Sequence, residues 1–205
     1  MKKIMFNDHY GLTEAVLSGR KTQTRRIIKL NDVEDYTADI AYAGKTWEVI
    51  EKSIIARHAK YKVGEVVAVA QSYKDADIAD CPSPIENIYY EARYLPGWTN
   101  KMFVRADLMP HRIRITNVRV ERLNEISDAD CIAEGVNEVC FSNNWGNSAS
   151  HWEYNVPYED DLGRAKLLRG LTPQEAYAAL IDRISGNGTF QRNPWVFVYD
   201  FELVK

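Results

Sequence analysis

Between residues 19 and 26 the chain reads Gly-Arg-Lys-Thr-Gln-Thr-Arg-Arg, four cations and two hydroxyls in eight residues with no acid among them. Arginine forks grip phosphate or carboxylate in bidentate fashion, and lysine supplies a mobile point charge. Arg20, Arg25 and Arg26 are therefore candidate ligand-holding residues, with Gly19 delivering the chain to the surface. The plain alternative is a solvated basic face.

A second basic stretch runs through Arg105, Arg112, Arg114, Arg119 and Arg122, while acids gather elsewhere, at Glu153, Glu159, Asp160 and Asp161. With a net charge of −3 the chain does not suit non-specific coating of nucleic acid, yet it can still present one positive face. Tyr73, Trp98, Trp145 and Trp152 fall in loop-like contexts where a ring can stack on a base or tuck into the fold. Four scattered histidines lack the spacing of a metal site, so neither a metal nor a cofactor is expected.

The elements that must position these residues are legible in part. Leu12, Ala15 and Val16 predict a short helix ending at Ser18 and Gly19, after which residues 22–28 read as extended. Val66-Val-Ala-Val-Ala70 reads as a buried strand and residues 88–94 as another. Arg112-Ile-Arg-Ile-Thr116 alternates with period two, then changes phase near Asn117, which predicts a bulge. Ser127 caps a helix ended by Gly135, and Thr172-Pro-Gln-Glu175 is a capping box ahead of a helix ending at Gly186. Trp195, Phe197, Tyr199, Phe201 and Leu203 fall on one face of a closing strand. Residues 31–60 are expected to be an irregular insert with a possible strand at Trp47–Ile50, and residues 138–170 a loop-rich insert. Short helices among strands predict an α+β fold, built as one domain over residues 1–205 around a small barrel or curved sheet.

A hydrophobic fraction of 45% with 27% charged residues is that of a globular chain. No apolar run approaches the ~20 residues that span a bilayer, the first residues turn polar too soon for a secretory signal, and Cys81, Cys131 and Cys140 form no C-x-x-C pair. A cytoplasmic setting without membrane contact is the expectation.

The segment Gly-x-Lys-Thr-x-Thr-x-Arg after a short helix resembles the signature of the ASCH domain, a family of the PUA-like superfamily of small β-barrels. Tyr61-Lys-Val-Gly-Glu-Val-Val-Ala-Val69 is similar to that family's Gly-Asp strand, and Ile126-Ser-Asp-Ala-Asp-Cys-Ile-Ala-Glu-Gly135 to its helix ending in Glu-Gly. Residues 178–201 are similar to the closing helix and strand of prophage-borne members. The four blocks occur in the family's order over most of the chain, although Gln71 stands where larger members often carry an acid.

The resemblance implies a PUA-like β-barrel with a cleft beside the Gly-x-Lys motif that takes RNA, a nucleotide or a modified nucleoside. Compact members hydrolyse the acyl amide of N4-acetylcytidine with a lysine, a threonine and a glutamate. Carried onto this chain, these are Lys21, Thr24 and Glu134. The implied chemistry has the Thr24 hydroxyl attack the carbonyl once a base takes its proton, with Lys21 as that base if the neighbouring arginines push its pKa down. In a fully extended strand the two side chains would face opposite sides, so this chemistry requires a bend between them. The alternative for Thr24 is an ordinary strand hydroxyl. Arg26 would hold or orient the ligand, and with Gly19, Arg20 and Arg25 of the basic segment and the loop aromatic Tyr73 it makes up the expected ligand-contacting set. Three functions follow as alternatives: an RNA- or nucleotide-binding module, a hydrolase of a modified nucleoside, or a protein-interaction module in a prophage setting.

Overall fold

The computed structural model describes residues 1–29, 44, 46–76, 96–141, 151–160 and 162–204. In chain order the strands are β1 (Lys3–Ile4), β2 (Gln23–Ile27), β3 (Val66–Val69), β4 (Arg112–Arg122), β5 (Asn137–Phe141), β6 (His151–Glu159), β7 (Ala165–Gly170) and β8 (Trp195–Val204). The helices are α1 (Leu12–Leu17), α2 (Trp47–His58), α3 (Asp128–Ala133), α4 (Pro173–Ser185) and α5 (Thr189–Arg192). The architecture is mixed α+β with two sheets, ordered β1-β3-β4-β8-β2 and β5-β6-β7. Among the described residues the larger sheet is open, with β1 and β2 as its edges, and no pairing closes it into a barrel.

The phase change near Asn117 is a bulge. Ile115 faces Phe201 and Asn117 faces Asp200, which leaves Thr116 unpaired. One extra residue reverses the alternation, so Ile113 and Ile115 are buried before it and Val118 and Val120 after it. All four therefore reach the same core.

β8 differs from the single apolar face expected of it, because Val196, Phe197, Val198 and Tyr199 are all buried. It lies between β4 and β2 and is covered on both sides. Trp47 of α2 stacks on Trp195 with ring centroids 5.1 Å apart, while Tyr177 and Leu180 of α4 share a cavity wall with Val196 on the other face.

Two expectations are corrected. Trp47–Ile50 is not a strand but the first turn of α2, whose buried Ile50 and Ile54 sit four residues apart. Four residues hid a period that twelve reveal. Within the expected insert at 138–170 the described residues are not loop-rich, because β5, β6 and β7 form an antiparallel meander. Its apolar signal was weak because the sheet buries little beyond Val156 and Leu168, with Asn155 buried among them. The expected strand at 88–94, Cys81, Trp145 and most of residues 31–45 lie outside the described residues. No helix among the described residues is long and apolar enough to cross a membrane.

Candidate active site

The motif segment leaves α1 through a main-chain bend. The Lys21 amide donates to Ala15 O at 2.8 Å, and the Thr22 amide donates to Ala133 O, at the end of α3, at 2.9 Å. Strand geometry begins only at Gln23. This is the bend that the pairing of Lys21 with Thr24 requires, since both residues line one cavity of about 220 Å³.

α3 brings the acid. Ser127 Oγ accepts from the Asp130 amide at 3.1 Å and caps the helix. Gly135, at φ 106°, turns the chain out just after Glu134, a backbone angle that a Cβ would oppose. Lys21 Nζ donates to Glu134 Oε2 at 2.5 Å and to the Glu134 carbonyl at 2.7 Å. Both side chains are almost wholly buried. Burial lowers the Lys21 pKa; the Glu134 charge opposes that shift, and Arg26 and Arg25 add to it. Desolvation therefore outweighs the neighbouring cations as the cause.

Arg25 extends the network on the same face of the sheet as Arg119 and Glu121, the register running Arg25–Val198–Arg119 and Ile27–Val196–Glu121. Its guanidinium lies 3.2 Å from Glu121 and Asp130 and 3.4 Å from Glu134, and it also donates to Gln23. Burial works against its charge most strongly, but Glu134, Tyr177, Glu121 and Asp130 together raise its pKa. Arg119 pairs with Asp200 at 2.5 Å and lies 3.5 Å from Asp130. Three cations, Lys21, Arg25 and Arg119, thus meet four carboxylates, Glu121, Asp130, Glu134 and Asp200. The positive face expected around this motif is compensated within the fold. In the second basic stretch Arg105 pairs with Asp107 and Arg114 with Glu202, both as exposed ion pairs, while Arg122 stacks on Trp195.

The cavity wraps the free edge of β2. Thr22 O accepts from the Phe201 amide and the Ile28 amide donates to Trp195 O, so even-numbered residues bond β8. Gln23, Arg25 and Ile27 turn their main-chain N–H and C=O groups outward. Phe6, Leu12, Tyr177, Leu180 and Ile184 supply an apolar lining. Among the described residues no hydrogen bond engages the Thr24 hydroxyl, and Thr24 is only 4% exposed.

Two buried donors in this wall have no hydrogen-bond partner, Tyr177 Oη and Arg25 Nε. An orphaned buried donor costs roughly 1–3 kcal/mol, and an acceptor reaches either atom only if the wall shifts, because both are closed to solvent. Burial, reinforced by the Glu134 charge, pushes the Tyr177 pKa well above its ordinary value and keeps the phenol a donor. Tyr177 was not among the sequence-derived candidates because it falls on the apolar face of α4, between Ala176 and Leu180. The signal it left was a polar tip on a face otherwise aliphatic.

The remaining candidates separate from this group. Arg20 reaches out to Asn137 Oδ1 at 2.7 Å. Gly19 ends α1 with its amide on Val16 O at 3.0 Å. Arg26 donates to Met5 O at 2.5 Å and lines the cavity mouth. Tyr73 does not line this cavity. It packs on Ala68, Ala70, Val104 and Met109 instead, with Gly97 tight against its ring, because the chain beyond β3 is drawn to that smaller cluster. Among the described residues no cluster of His, Cys, Asp and Glu could hold a metal ion. Cys131 is a buried free thiol whose pKa is pushed up to about 12 by desolvation, which leaves it inert. Comparison with protein-family models, with curated proteins and with solved structures finds no match to this chain.

Proposed function

We propose that the chain is a cytoplasmic hydrolase of the ASCH type that cleaves the amide of an acylated nucleobase, with N4-acetylcytidine as the model substrate. The observation that carries this is the buried Lys21–Glu134 pair at 2.5 Å in a cavity also lined by Thr24. On this reading the five-stranded sheet with its bulge at Thr116 is the wall of a PUA-like barrel.

The chemistry balances with these residues alone. Neutral Lys21 takes the Thr24 hydroxyl proton as Oγ attacks the acyl carbon, and Glu134 stabilises the ammonium so formed. Once the wall shifts to admit the acyl oxygen, Tyr177 Oη and Arg25 Nε, the two orphaned donors, stabilise the oxyanion. Collapse breaks the C–N bond, and Lys21 returns the proton to the leaving amino nitrogen. Water then attacks the threonyl ester with Lys21 again as base. Oγ regains its proton, and the carboxylic acid leaves. A compensated, partly apolar cavity suits a neutral base better than a polyanion, which favours this reading over a phosphate-gripping cleft at the same place.

The test is turnover of N4-acetylcytidine to cytidine and acetate. Thr24→Ala should reduce it to background. Lys21→Arg should lower kcat by about 10²–10⁴-fold, the usual worth of a positioned base, because a guanidinium keeps its charge. Full activity in folded Thr24→Ala would sink the proposal and leave a binding module.

A further inference from the structure

A second cavity, of about 490 Å³, lies on the other face of β2 and β8 and shares Arg26 and Ile27 with the first. Its lining carries Lys3, Arg26, Lys29 and Lys60 together with His58 and, among the described residues, no carboxylate. Among the described residues no carboxylate pairs with Arg26, Lys29 or Lys60, in contrast to the first cavity, where Lys21 and Arg25 both meet acids. Like charges gathered this closely, with no pairing acid among the described residues, repel one another, and an anion relieves that repulsion.

The cations also differ in what they can still do. Lys3 Nζ is consumed by the carbonyls of Lys101, Met102 and Val104, at 3.1, 2.6 and 2.8 Å, and contributes only its field. Arg26 uses one nitrogen on Met5 O, and Lys60 Nζ stands 5.3 Å from the Tyr61 ring centre. Both are exposed, as is Lys29. The floor beneath them is buried and held by hydrogen bonds. Tyr61 donates to Lys3 O at 2.9 Å, Tyr199 accepts from the Lys60 amide at 3.1 Å, and both rings are buried. A low-dielectric floor strengthens attraction to an anion above it.

We propose that this second cavity is a phosphate subsite. It takes the phosphate of a nucleotide whose base occupies the Lys21–Thr24–Glu134 cavity, with the sugar passing the β2 edge at Arg26 and Ile27. The preferred ligand is then a nucleotide or an RNA residue, with a free nucleoside bound more weakly. This rests on the first cavity being a base site, so the experiment separates the two claims.

Calorimetric titration of the full chain at low salt uses cytidine, cytidine 5′-monophosphate, cytidine 3′-monophosphate, inorganic phosphate and a short cytidine-containing RNA. A monophosphate or the RNA should bind about tenfold or more tighter than cytidine, the worth of a charge-assisted contact, and the advantage should shrink as salt rises. The arm with the largest advantage identifies the source as a terminal phosphate or a phosphodiester. In a Lys29→Ala/Lys60→Ala variant, checked for folding by thermal melting, the ratio should fall toward one. Equal affinities for cytidine and all phosphorylated probes would overturn the subsite while leaving the base cavity intact. A phosphate advantage that survives in the double variant would overturn its location. Binding of inorganic phosphate alone, lost in the variant, would support the anion site and count against the base cavity instead.

Discussion

Lys21 Nζ and Glu134 Oε2 lie 2.5 Å apart, although 113 residues separate them in sequence, and neither side chain is more than 5% exposed. One residue comes from the bend after α1, the other from the last turn of α3. The Thr22–Ala133 main-chain bond clamps these two segments together.

Breaking that pair from one side should be costly. Lys21→Met leaves a buried carboxylate with only Arg25 at 3.4 Å, and a loss of roughly 3–5 kcal/mol is expected. The double variant Lys21→Met/Glu134→Leu should lose clearly less than the sum of the single losses. Chemical denaturation of the four proteins measures the coupling, and strict additivity would refute it.

Tyr177→Phe should separate stability from function. It removes a hydroxyl that is buried without a partner, so the unliganded protein should gain about 1 kcal/mol. Turnover should fall on the order of 10-fold or more as an oxyanion donor is lost. A lower melting temperature, or unchanged turnover, would show that the phenol serves packing alone.

The pH profile follows from the lowered Lys21 pKa. Turnover needs the neutral amine, so kcat should rise with pH through a limb below the ordinary lysine value of 10.5. The same shift affects stability. Between the folded pKa and 10.5 the unfolded chain binds the extra proton, so this group makes stability rise with pH across that window. Stability should be lost as pH falls through the window, and the slope should be shallower in Lys21→Met. A profile identical to that of the variant would place the titration elsewhere.

Gly170 ends β7 where it meets the start of α4. A Cβ there would lie 2.5 Å from the Ala176 amide nitrogen and 2.8 Å from Thr172 O. Gly170→Ala should therefore push α4 away, at about 1–3 kcal/mol, and displace Tyr177 from the cavity wall. Melting temperature and turnover should both fall. Wild-type values for both would mean that the helix start yields without cost.

Much of the local structure was written in short-range sequence. Ser127 and Thr172 cap α3 and α4 with their own hydroxyls, because a cap needs only an oxygen three residues from an orphan amide. The second half of the Thr172 box is different: Glu175 reaches back to the Leu171 amide rather than that of Thr172. The bulge at Thr116 followed from the phase of alternating isoleucines and valines, which burial on one core must respect. The motif Lys21 to Arg26 and the acid at Glu134 were likewise legible as residue types. Their environment was not. Whether four nearby cations make a positive cleft depends on which carboxylates other strands and helices bring to the same face, and the β4–β8–β2 register brought Glu121 and Asp200 to Arg25 and its neighbours. Among the described residues, the cations without a pairing acid came to rest one face away, at Arg26, Lys29 and Lys60. Tyr177 looked apolar until its ring was enclosed. The β5–β6–β7 meander, held more by its ladder than by apolar burial, left too little periodicity to read. Charge, pKa and orphaned donors are properties of burial, and burial is decided when distant faces meet.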